Sequence, residues 1–122
     1  MQLVTFESGG ESTYGIVVEG GIIDAGKRLG RSLPDIEAVL AAGALGRLAE
    51  LGAHAAPDLA LDGVTLRKPL LRPGKIICVG VNYPERNAEY KDGSENPIYP
   101  SLFVRFPASL AAPGEALIRP ID

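Results

Sequence analysis

Cysteine, histidine and tryptophan are nearly absent: the 122 residues include one cysteine, Cys78, one histidine, His54, and no tryptophan. One thiol permits no internal disulfide. The lone imidazole, in the small-residue stretch Ala53 to Pro57, has no orienting carboxylate nearby in sequence, so it reads as a surface or helix-end residue rather than a triad member. A basic excess is missing too, since 12 Lys and Arg face 15 Asp and Glu for a net charge of −3. Such a balance cannot drive binding by counterion release and argues against a nucleic-acid partner. Long apolar runs are lacking: Ile76 to Val81 has six residues, about a third of what a membrane span needs. No membrane partner is expected. The opening MQLVTFESGG has neither the basic start nor the apolar stretch of a signal peptide, which makes the cytoplasm the expected compartment.

Leu, Ile, Val and Phe together supply 35 of the 122 residues, enough apolar material for a folded core. Gly and Pro add 25 more, a load that predicts many turns and argues against a helix bundle. Charge is uneven along the chain. Residues 1 to 65 hold nine acids and four bases, whereas residues 66 to 122 hold six acids and eight bases. The second half therefore suits an anionic ligand better.

Met1 to Phe6, Thr13 to Val18 and Ile22 to Asp24 read as three short strands joined by a loose Ser8 to Ser12 loop and a tight Glu19-Gly20-Gly21 turn. A helix follows, with Ser32 as hydroxyl cap and Pro34 and Asp35 in its first turn. Ile36, Val39 and Leu40 form its buried face, Gly43 can end it, and Leu45, Leu48 and Ala49 continue helical spacing to about Gly52. Arg67 to Gly74 contains two prolines and reads as a linker, which sets the expected domains at 1–72 and 73–122. Lys75 to Val81 is a continuous β-branched run, expected to be a strand buried on both faces with Cys78 inert inside it. Pro84 opens a polar helical stretch to about Lys91. Leu102 to Phe106 and Ala116 to Ile118 complete the predicted strands.

Chemistry-bearing residues gather where the buried strand emerges at Asn82-Tyr83. Glu85, Arg86 and Glu89 are spaced to crowd one side of the following helix, either as a solvated face with an internal ion pair or as part of a site. Glu85, Glu89, Asp92 and Glu95 are too local to make a hard-cation cage, which needs oxygens converging from several elements.

Lys75 to Tyr83 (KIICVGVNY), the polar helix, Pro100 to Arg105 (PSLFVR), Pro113-Gly114 and Arg119-Pro120, in that order, resemble the fumarylacetoacetate hydrolase superfamily over about residues 64 to 122. Residues 1 to 60 resemble its small N-terminal domain more loosely. The resemblance implies an α+β fold: a small N-terminal β-meander and helix domain, then the first strands of a mixed β-rich catalytic domain. It implies a homodimeric, Mg²⁺- or Mn²⁺-dependent enzyme that hydrolyses a C–C bond in a β-diketo or 2-oxo acid, with isomerase and decarboxylase relatives. The family's metal ligands, a Glu-x-Glu pair and a later aspartate, would fall downstream of Asp122. By the same resemblance Asn82, Tyr83, Arg86 and Arg105 bind the anionic oxo-acid substrate, and Glu89 and Arg86 are catalytic. One departure stands out. Hydrolytic relatives place a histidine base where this chain has Arg86, and a guanidinium cannot take a proton from water. Arg86 would instead grip a substrate carboxylate, with Glu89 as base or ion-pair partner. Arg105, at a position where relatives have lysine, reads equally as an outward-facing strand residue alternating with Phe103. The alternative from another class is a noncatalytic module that associates through exposed strand edges.

Overall fold

The computed structural model describes residues 1–80, 83 and 98–121. The fold is α+β, and Met1–Arg72 with Leu110–Asp122 form one compact unit while Pro73–Ser109 form another.

In the first unit β1 (Gln2–Ser8), β2 (Glu11–Val18) and β3 (Gly21–Asp24) make an antiparallel meander. Ser8 pairs directly with Glu11, so the first loop is tighter than the sequence suggested. Gly9 and Gly10 turn the chain alone, with φ of 60° and 84°, the double positive φ that matches a two-residue hairpin to strand twist. A fourth strand, β4 (Thr65–Leu66), joins the outer edge of β1 and gives the order β3-β2-β1-β4. Two residues before a proline-rich stretch carry too little alternation to be read as a strand.

Three helices follow the meander. Asp24 ends β3 and also caps α1 (Ala25–Leu29), its carboxylate accepting from Lys27 N–H at 2.9 Å. That double role hid α1, which the sequence reading lacks. At α2 (Ile36–Ala41) the cap is Asp35, accepting from Ala38 N–H at 2.7 Å. Ser32, the expected cap, instead sits in a 3₁₀ turn and donates to the Leu29 carbonyl. The carboxylate wins because it lies three residues before the free amide and accepts more strongly than a hydroxyl. Gly43, at φ 63°, ends that helix, and α3 (Leu45–His54) runs two residues past Gly52.

One face of the sheet contributes Tyr14, Ile16 and Ile23 to the core, and the helical layer contributes Leu33, Ile36, Val39 and Leu48. Phe6 and Ile22, which alternate to the opposite face, are fully buried as well. Inside the core the Tyr14 hydroxyl donates to the Leu33 carbonyl at 2.9 Å.

Among its described residues the second unit forms a two-stranded ribbon, β5 (Ile76–Gly80) against β6 (Ser101–Arg105). Its burial differs from expectation. Ile76, Cys78 and Gly80 are half-buried while Ile77 and Val79 are 61% and 58% exposed. Among the described residues β5 has a single hydrogen-bonded neighbour and no layer over that face, so alternation replaces two-sided burial. Cys78 is accordingly half-buried and not enclosed. The expected strand at Ala116 to Ile118 does not form, and Leu117 and Ile118 are 84% and 93% exposed. Apolar alternation alone makes no strand without a partner edge. The polar helix expected from Pro84 lies outside the described residues.

Candidate functional site at the β5–β6 ribbon

Of the residues singled out by sequence, Asn82, Arg86 and Glu89 lie outside the described residues. Tyr83, just past the end of β5, is partly exposed. Arg105 closes β6, and its guanidinium lies 4.9 Å from the centroid of the Phe103 ring. The strand alternation that puts residues i and i+2 on one face brings these two together, and the ring holds the cation in place.

The ladder sets the last residue of β5 apart from Arg105. Gly80 pairs with Ser101 and Ile76 with Arg105, so Arg105 lies level with the start of β5. Four residues of antiparallel strand span about 14 Å. The strand exit and the arginine thus belong to opposite ends of the ribbon, a spacing that block order in the sequence does not reveal.

At the Arg105 end a groove of about 260 Å³ is lined by Lys75, Ile76, Ile77, Val104, Arg105 and Phe106, with Gly74 and Pro107 at its rim. Its walls are mainly apolar, with two cationic residues among them. Such a lining suits a small anion with an apolar body. The ion pairs of the described residues use Arg28, Arg67 and Arg72, so neither Lys75 nor Arg105 is neutralised by one there. Lys75 was missed as a candidate; its only sequence signal is a lysine placed directly before a β-branched run.

Asp58, Arg28 and His54 of the first unit have structural partners. Asp58 accepts from the Asp24 amide at 2.9 Å and from two nitrogens of Arg28 at 2.9 and 2.7 Å. Arg28 also donates to the Ala56 carbonyl. Hydrogen bonding from Arg28 holds the Asp58 carboxyl below the usual carboxylate range, opposed by partial desolvation and assisted by the Asp24 amide. His54 ends α3, with Nδ1 2.9 Å from the Glu50 carbonyl oxygen.

The resemblance implies a divalent cation, and the described residues do not fit one. No group of three or more His, Cys, Asp or Glu among them is placed to hold a metal ion. No helix among the described residues is long and apolar enough to cross a membrane.

Fold and site together define an α+β domain followed by a β-ribbon with a cation-bearing groove at one end. Two comparisons place this sequence more narrowly. A 62-residue stretch, 51% of the chain, is 32% identical to 19% of a fumarylacetoacetate hydrolase domain-containing protein 2 homolog of Dictyostelium discoideum. A 64-residue stretch, 52% of the chain, is 34% identical to 20% of the mitochondrial oxaloacetate tautomerase Fahd2a of Rattus norvegicus. No family model matches the chain. Over about half of its length the chain is therefore similar to these two proteins, and the matched stretch spans about a fifth of each relative.

Proposed function

We propose that this chain supplies the front part of an enzyme acting on a small anionic 2-oxo acid, and that the reaction is keto–enol tautomerisation. The observation that carries this reading is Arg86, an arginine where the resemblance puts the histidine base of hydrolytic relatives. Hydrolysis needs an activated water, and a guanidinium that stays protonated at any working pH cannot activate it. Tautomerisation needs no water. A base takes the proton from the carbon next to the carbonyl, and a proton is delivered to the carbonyl oxygen, so the substrate neither gains nor loses atoms. In this scheme the Arg86 fork binds the substrate carboxylate through two N–H groups, and the Glu89 carboxylate takes the carbon-bound proton and then, as the carboxylic acid, returns it to the carbonyl oxygen. Asn82 and Tyr83 contribute hydrogen-bonding groups at the strand exit. Support from similarity is the Rattus norvegicus relative, an oxaloacetate tautomerase.

C–C bond hydrolysis is the second reading, favoured by Glu89 at the position of the glutamate that partners the family's histidine. The two separate in one set of assays on the full encoded protein, following decay of enol-oxaloacetate absorbance and cleavage of an acylpyruvate. Tautomerisation predicts the first activity without the second. Arg86→Ala should raise KM more than it lowers kcat, because carboxylate binding is made in the ground state, and Arg86→Lys should fall between for want of the two-pronged geometry. Arg86→His should bring acylpyruvate cleavage with it. Unchanged kinetics in Arg86→Ala would remove Arg86 from the site, and parent cleavage of acylpyruvate would favour hydrolysis.

A further inference from the structure

The edge of the first unit's sheet is closed by a segment bound differently from the rest. Phe6 and Glu7 pair with Leu66 and Thr65, and the Arg67 amide adds one more ladder bond to the Thr5 carbonyl at 2.8 Å. After that, side chains take over. The Arg67 guanidinium pairs with the Glu7 carboxylate, its Nε donating at 3.1 Å. The Thr5 hydroxyl donates to the Pro69 carbonyl at 2.8 Å. At the far end the Arg72 amide donates to Glu37 at 2.8 Å and its guanidinium to Asp35 at 2.9 Å.

Both arginine latches are solvent-exposed, and exposed pairs add little to stability. Among the described residues after β4, only Leu70 packs against the core cluster. Few apolar contacts and exposed hydrogen bonds are the marks of a segment that opens locally. What it covers is otherwise hidden, since Thr5 is 5% exposed. At the opposite edge Ile22 exchanges backbone hydrogen bonds with Asp58 and Leu59, so both flanks of the meander are occupied.

We infer that Leu66–Arg72 is a strap, latched by Arg67 and Arg72 and pinned at Thr5, which opens as a local unit and bares the β1 edge at Thr5 and Phe6 while the remaining sheet stays folded. Closed, it denies that edge to a strand from a second chain, as sheets with uncovered edges invite pairing. The strap is independent of the enzymatic reading.

Native-state amide exchange on the 122-residue chain tests it, comparing the Arg67 amide with amides of the β1–β2 ladder. In the parent the Arg67 amide should exchange faster than the ladder, with little dependence on denaturant. Replacing both latches (Arg67→Ala with Arg72→Ala) should speed it about tenfold with ladder exchange nearly unchanged, and light scattering should show increased self-association. Exchange of Arg67 and ladder amides at one shared, denaturant-dependent rate in the parent would make the segment an integral strand and overturn the inference, a comparison that holds even if the double variant fails to fold. Faster Arg67 exchange without added association would remove the edge-guarding role.

Discussion

Tyr14 offers a clean perturbation, because Tyr14→Phe removes one oxygen and leaves the ring in place. The side chain is 1% exposed within the cluster of Ile16, Leu33 and Ile36, and its hydroxyl donates to the Leu33 carbonyl at 2.9 Å. Apolar burial is almost unchanged by the substitution. The loss is then one buried hydrogen bond plus the cost of leaving the Leu33 carbonyl without that donor, about 1–2 kcal/mol. For a unit of this size that lowers Tm by about 5–10 °C. A second signature comes with pH. Burial pushes the Tyr14 hydroxyl above its ordinary pKa, with Arg47 opposing the shift and Asp35 and Asp24 adding to it. The folded chain therefore holds this proton more tightly than the unfolded chain does. The contribution is full below the unfolded pKa of about 10 and is lost as pH rises through the raised value. Thermal unfolding followed by circular dichroism at neutral pH and through the alkaline range reads both effects. The gap between parent and Tyr14→Phe should be widest near neutrality and narrow at high pH, where other titrating groups act alike in both proteins. A Tm within about 2 °C of the parent, or a gap that widens with pH, would refute the reasoning.

Two further substitutions test other parts of the fold. In Gly15→Ala the new Cβ would sit 2.3 Å from the Ile23 carbonyl oxygen and 2.7 Å from Ile22 Cγ2, and since a ladder carbonyl cannot step aside, a loss of about 2–3 kcal/mol is expected. Gly46→Ala in α3, with open space around it, is the control and should gain about 0.4–1 kcal/mol, so equal Tm values for the two would contradict the close approach. Asp58→Asn should flatten the acid limb of the stability curve: the folded carboxyl is held low by Arg28, so its stabilisation is present above the unfolded pKa and lost as pH falls through the folded one. An unchanged acid limb in urea titrations would place the acid sensitivity elsewhere.

Local signals in the chain determined a good deal. Period-two alternation marked β1, β2 and β3, because a strand with one buried face must repeat every two residues. Period-three-to-four spacing marked Ile36, Val39 and Leu40 as a buried face; Ile36 and Val39 are in the core, whereas Leu40 is exposed. The block order from Lys75 to Arg119 pointed to the superfamily that the two relatives share. Only the tertiary structure decided the rest, wherever a residue's role depends on a partner distant in sequence. Asp24 could be recognised as a helix cap only once its carboxylate met the Lys27 amide, and Ser32 lost that role to Asp35 for the same kind of reason. β4 exists because Thr65 and Leu66 meet β1 across some 60 residues, a contact no window of sequence contains. Ile77 and Val79 carry the composition of a two-sided core strand yet are exposed, since burial depends on which layers are present to cover a face. Arg105 lies level with Ile76, and Gly80 with Ser101; pairing register is set between strands, and neither strand's sequence specifies it alone.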